Sequence, residues 1–184
     1  MAAPAIDASR VYGVQRQARG RLFDWVRPLT LAQYTRPFPF GLATLRATLL
    51  EIARVEFFLT ARLAEAPLPP VVEWPFTDVR LPAFADLETA WRPQMNRTQA
   101  VLAETADWDR TVTSEIHWPD RTVVLTAAKA DIAAQLLLHD VHHRAQAMAI
   151  LRQLSVPAET LDYIGFVQQR TVKAEPGRDE QGSR

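Results

Sequence analysis

The sequence predicts an all-α protein, a four-helix bundle with a small β-hairpin or irregular insertion between its third and fourth helices. Three observations point there. Apolar residues recur at spacings of three and four through four long stretches. Prolines fall between those stretches more often than within them. Consecutive β-branched residues gather in one short region, before the last stretch. With 184 residues, 48% of them hydrophobic, the chain can bury a single core. One domain is expected over residues 1–170, followed by a polar tail, 171–184, with too little apolar surface to order itself.

The first helix is placed from about Ala8 to Arg27, with Val11, Val14, Leu22, Trp25 and Val26 facing inward, and Pro28 ends it. Tyr34 to Gly41 is a connection, because Pro37 and Pro39 disfavour helix in the residues before them. The second helix spans Leu42 to Glu65: Leu45, Leu49, Ile52, Val55, Leu59 and Leu63 mark its buried stripe, and Pro67 closes it. Ala66 to Pro82 contains five prolines around Trp74 and Phe76, too broken for regular structure and too aromatic for a free linker. It is expected to pack over the bundle, with Trp74 and Phe76 as candidate walls of a pocket mouth.

Pro82 to about Asp107 reads as the third helix, with Pro93 either kinking it or marking the start of its longer part. Between Arg110 and Leu125, β-branched residues flank Trp118-Pro119-Asp120, the pattern of a hairpin that caps one bundle end. The fourth helix, about Ala127 to Leu154, has no internal proline or glycine and stops before Pro157. Leu161 to Val167 follows as a short docking segment.

Composition removes several classes of function. Lysine plus arginine equal aspartate plus glutamate at 21 each, so no positive field draws nucleic acid or anionic lipid. No cysteine is present, which excludes disulfides, thiolate ligands and a cysteine nucleophile, so any metal must be held by nitrogen and oxygen. No stretch approaches the roughly 18 apolar residues of a membrane span, and Met1 to Arg10 carries no signal-like apolar run. The expectation is a cytoplasmic protein with a small-molecule substrate. Phosphate-loop, dinucleotide and nucleophile-elbow patterns are absent, and His139 to His143 lacks the glutamate placement of His-Glu-x-x-His proteases.

The chemistry lies in the fourth helix. At about 100° per residue, Ile132, Leu136, Ile150 and Leu154 project within roughly 40° of one another, a stripe that must face the core. His139, His143 and Gln146 fall inside that stripe, where core packing asks for leucine and where buried polar groups need partners. The i to i+4 spacing of His139 and His143 sets two imidazoles one turn apart, able to ligate one divalent ion. Two core histidines satisfied by hydrogen bonds are the plainer explanation of the same spacing. Gln146 could bond a ligand histidine or a substrate. His142, roughly 60° from the His139 direction, could orient a ligand, line the pocket or meet another subunit. Asp140 and Arg144 are also i to i+4, point away from the stripe, and read as an ion pair on the helix flank. His117 is expected at the surface, and the tryptophans are expected in core and loop packing.

The run Leu136 to Leu151, with His139, His143, Arg144 and Gln146 in a His-x-x-x-His-Arg-x-Gln pattern, resembles the last helix of the DinB family of metal-binding bundles. Residue 145 is alanine where that family commonly has glycine. The order of elements from about residue 8 to 167 is also similar. The resemblance implies a third histidine early in the second helix, and here Glu51 stands at that place, a departure from the pattern. It implies Glu51, His139 and His143 as the ligands of a divalent ion, Zn, Ni, Fe or Mn. By its wheel position alone, Glu51 reads as a solvated charge at the helix edge, and the resemblance is what makes it a ligand. Glu56 is the competing carboxylate, on the opposite border of the stripe, so both cannot easily reach one ion.

Three protein ligands leave a coordination position open for a water or a substrate thiol. The resemblance implies a metal-dependent transferase that attaches a low-molecular-weight thiol to an electrophile, or a hydrolase. The alternative is a non-catalytic metal-binding or stress-response protein in which the metal holds the helices together. A homodimer is compatible with either and is the expected assembly.

Overall fold

A computed structural model describes residues 6–169 and 171. Among these the chain forms six helices and one two-stranded antiparallel sheet, so the all-helical expectation holds with its small β insertion. Of the expected tail, 171–184, residues 172–184 lie outside the described residues.

The long helices are α1 (Ala8–Val26), α3 (Leu45–Leu63), α4 (Phe84–Glu104) and α5 (Lys129–Gln153); α2 (Leu31–Tyr34) and α6 (Tyr163–Val167) are short. Helix α1 starts at Asp7, whose side chain accepts from the Arg10 amide, and this satisfies one of the amides a helix start leaves free. Helix α3 begins at Leu45, three residues later than the sequence suggests. Ala43 adopts φ 64°, which breaks helical continuity, and Thr44 then caps the helix by accepting from Ala47.

Helix α4 runs from Phe84 to Glu104 straight through Pro93, which neither ends nor starts it. The ring at Pro93 is exposed, on the solvent side of the helix. Helix α5 begins at Lys129, because Ala127 and Ala128 pair in the hairpin. Strands β1 (Thr111–His117) and β2 (Thr122–Ala128) pair in register from Thr111 opposite Ala128 to His117 opposite Thr122. Alternation buries Val112 and Ile116, and the hairpin packs on α3 and α5.

Helix α3 packs against α4 and α5, and α1 packs against the same two, so each long helix touches two others. The apolar core lies in two clusters. One gathers Leu22, Leu45, Leu49, Trp91 and Ile150; the other gathers Tyr12, Leu59, Leu102, Ile132 and Leu136. Along α1 and α5 the chain passes from the second cluster to the first. Along α3 and α4 it passes from the first to the second, so these two helices run in the same sense. Residues 64–83 must therefore return along the full length of the helices, which explains a proline-rich, extended connection where a tight turn would not reach. Its aromatic residues seal it down: Trp74 stacks on Phe58 with ring centroids 5.5 Å apart, and Phe76 meets Phe57 at 6.4 Å.

Helix α6 docks on α1, and Leu161 just before it is buried. Trp118 departs from the packing expected of the tryptophans: it is exposed at the hairpin turn, with Arg121 over its ring at 5.4 Å. No helix among the described residues is long and apolar enough to cross a membrane.

Candidate metal centre

Two sets of polar side chains lie on neighbouring faces of α5, one partly buried and one in the interior. The first is the expected histidine face. His139 and His143 are partly buried, with ring centroids 4.4 Å apart, one helical turn from each other. Across from them α3 presents Glu51, whose Oε1 lies 3.9 Å from His139 Nε2. One ligand atom from each of Glu51, His139 and His143 falls within 4.8 Å of the other two. Donors around an ion with ~2.1 Å bonds sit ~3.4 Å apart in a tetrahedron, so small side-chain rotations bring this set to bonding range. Two imidazoles and one carboxylate are a chemically suitable donor set for a divalent transition ion.

The electrostatics favour ligation over ion pairing. Burial, reinforced by the neighbouring His143, pushes the His139 pKa down to about 4, although Glu51 and Asp140 pull the other way. His139 is therefore a neutral imidazole at pH 7, the form that binds a metal. The second oxygen of Glu51 pairs with Arg54 one turn along α3, which leaves Oε1 turned to the histidines.

Gln146 sets the tautomer of His143. Its Oε1 can only accept, so His143 Nδ1–H donates to it at 2.9 Å and His143 Nε2 keeps its lone pair. The amide nitrogen of Gln146 then donates to His142 Nε2 at 2.9 Å. His142 is exposed and edge-on to His143, 4.8 Å between centroids; it belongs to the hydrogen-bond chain and lies outside the ligand cluster. Gly41 holds the other side of Gln146. A Cβ there would lie 3.0 Å from Gln146 Oε1, and φ at Gly41 is +56°, so glycine suits both the approach and the backbone.

The second layer went unrecognised in the sequence. Asp140 and Arg144 do pair, at 2.6 Å, but the pair is buried, with side chains 3% and 8% exposed. The ion pair forms as expected, but its flank of α5 is enclosed. The flank is buried because α1 packs there: Arg19, fully enclosed, donates to Asp140 at 2.7 Å and lies 2.8 Å from Glu56. Glu56 also accepts from Tyr12 at 2.6 Å, Thr98 at 2.9 Å and Trp91 at 3.1 Å. The Arg19 guanidinium stacks 4.4 Å from the Trp91 ring.

Glu56 is thus occupied elsewhere and is no ligand of the histidine cluster. Its carboxylate and that of Asp140 keep Arg19 charged, raising its pKa against burial, while burial raises the Tyr12 hydroxyl. The signal for this layer was present: Tyr12, Arg19 and Val26 are spaced by seven, so the arginine lies in the apolar stripe of α1.

His117 is exposed, as expected, and bonds Thr122 at 3.1 Å. Phe76 does wall a cleft beside Glu51, whereas Trp74 lies against Phe58 and does not line it.

A family model described as the DinB family matches residues 6–178 of the chain. No curated protein matches it.

Proposed function

The chain belongs to the DinB family, and from that premise we propose that Glu51, His139 and His143 hold one divalent metal ion in a four-helix bundle and that the centre is catalytic. The observation that carries the site is the convergence of one carboxylate and two neutral-capable imidazoles from α3 and α5 on a common point. The bundle reading is supported by the contacts of each long helix with two others and by the core clusters they share.

A bound divalent ion would supply Lewis acidity, lowering the pKa of a coordinated thiol or water or polarising an acceptor. The chain's residues do the rest. His139 and His143 offer nitrogen lone pairs, Gln146 fixes the His143 ring, and Arg54 fixes the Glu51 carboxylate. Three protein ligands leave a position open to a small molecule, which supports a thiol transferase or hydrolase over a purely structural ion. Balanced charge supports a small-molecule partner rather than nucleic acid.

Metal analysis of protein purified without a histidine tag tests the reading. About one divalent ion per chain is expected, lost in His143→Ala; full retention by that variant overturns the site. Turnover of a small thiol with an electrophilic acceptor, abolished by chelation and restored by Zn, Ni, Fe or Mn, would mark the centre as catalytic. Four protein ligands around the ion would mark it as structural.

A further inference from the structure

The cleft beside Glu51 has a volume of about 330 Å³, near the lower end of the roughly 300 to 1,000 Å³ usual for small-molecule pockets. One wall is the outer flank of α3, with Arg46, Leu50, Glu51 and Arg54; facing it are Phe76 and Asp78 of the returning connection. Leu42 also lines the cleft, from the same loop whose Gly41 approaches Gln146. The cleft therefore shares Glu51 and this loop with the histidine cluster.

Its two arginines are not equivalent. Arg54 is engaged by Glu51. Among the described residues, the ion pair of Arg46 is with Asp78, at 3.7 Å, a charge contact too long for a hydrogen bond, and the Asp78 side chain is 61% exposed. A guanidinium carries five donors in a planar fork suited to a carboxylate or phosphate, and a distant, solvated aspartate leaves most of that capacity unused. Leu50 and Phe76 supply apolar surface beside it. From Arg46 to Glu51 is five residues of helix, about 7.5 Å along the axis.

We propose that this cleft is the substrate pocket of the metal centre and that it takes a small molecule bearing an anionic group, carboxylate or phosphate. Arg46 binds the anion in place of Asp78, and the other end of the molecule lies at Glu51. The assignment rests on the reading of Glu51, His139 and His143 as a metal centre. Asp78 acts as an internal competitor, filling the anion's place when the pocket is empty.

The test is calorimetric titration of zinc-loaded and metal-free protein with succinate and with inorganic phosphate, succinamide serving as the uncharged control. At least one anion should bind where succinamide does not, and the tighter of the two identifies the anion class. Arg46→Gln should weaken it about tenfold or more, as expected for loss of a charge-assisted pair. Asp78→Asn, at an exposed position, should tighten it by about threefold or more by removing the competitor.

Failure of both anions to bind, an affinity indifferent to Arg46→Gln, or weaker binding by Asp78→Asn would each overturn the proposal. Zinc content measured on the same samples keeps the two readings apart. Wild type that takes up no zinc overturns the metal centre, while anion binding to metal-free protein that depends on Arg46 sustains the anion pocket.

Discussion

Arg19 of α1 donates to Asp140 of α5 at 2.7 Å, and Asp140 directly follows His139 in the chain. One turn on, Arg144 donates to the same carboxylate and directly follows His143. Each histidine thus has a neighbour fixed by the buried polar layer, on a face about 100° round the helix. Rotation of α5 about its axis would break these bonds, so the layer determines where the imidazoles point.

Replacing Arg19 with methionine should destabilise the protein by about 3 to 5 kcal/mol, because it leaves the buried Glu56 carboxylate without a cation and Asp140 with Arg144 alone. Chemical denaturation measures this. A loss below about 1 kcal/mol would mean that water or rearrangement replaces the arginine, and the layer would not be the anchor described.

Gln146→Leu should keep the fold and lower metal affinity by about 10- to 100-fold, since the His143 ring loses the acceptor that fixes its tautomer. Competition against a chelating dye reads the affinity. Circular dichroism of the same variant should match wild type.

Gly41→Ala places a methyl 3.0 Å from Gln146 Oε1 and at φ +56°. A cost of about 1 kcal/mol is expected from the backbone alone. If the loop also shifts Gln146, metal affinity falls in step with Gln146→Leu, and a double variant should lose less than the sum of the two single ones.

Acid should destabilise the metal-free protein through His139. The imidazole has its ordinary pKa when unfolded, 6.5, and about 4 when folded. Between these values the unfolded state binds the extra proton, so stability is full above about pH 6.5 and falls as pH drops toward 4. With the side chain 14% exposed, the loss is of the order of 2 kcal/mol. His139→Gln should flatten this part of the stability profile. An unchanged slope would place the acid sensitivity elsewhere.

Helices and their breaks were readable because apolar periodicity and proline are local signals. Even so, Thr44 decided the start of α3 against three residues of helical pattern. Spacing alone put His139, His143 and Gln146 on one side of α5, but it turned them fully toward the core, whereas they are partly buried and the middle turns bury Asp140 and Arg144. Glu51 could not be placed by spacing, since a residue on the border of a stripe faces solvent or a neighbour depending on which helix packs beside it. The Asp140–Arg144 pair misled for the same reason. An i to i+4 ion pair looks identical on a wheel whether it meets water or another helix, and only the packing of α1 tells them apart.

The connection between α3 and α4 has a further consequence. Because two helices run in the same sense, the chain must cross the outside of the molecule, and that crossing supplies Phe76 and Asp78 to one wall of the cleft. The opposite wall is helical and bound to the core. Evolution can therefore lengthen, shorten or re-sequence the crossing and change what the cleft admits, while the helices that bear Glu51, His139 and His143 stay as they are. The molecule separates a fixed chemistry from an exchangeable selectivity along one line, the flank of α3.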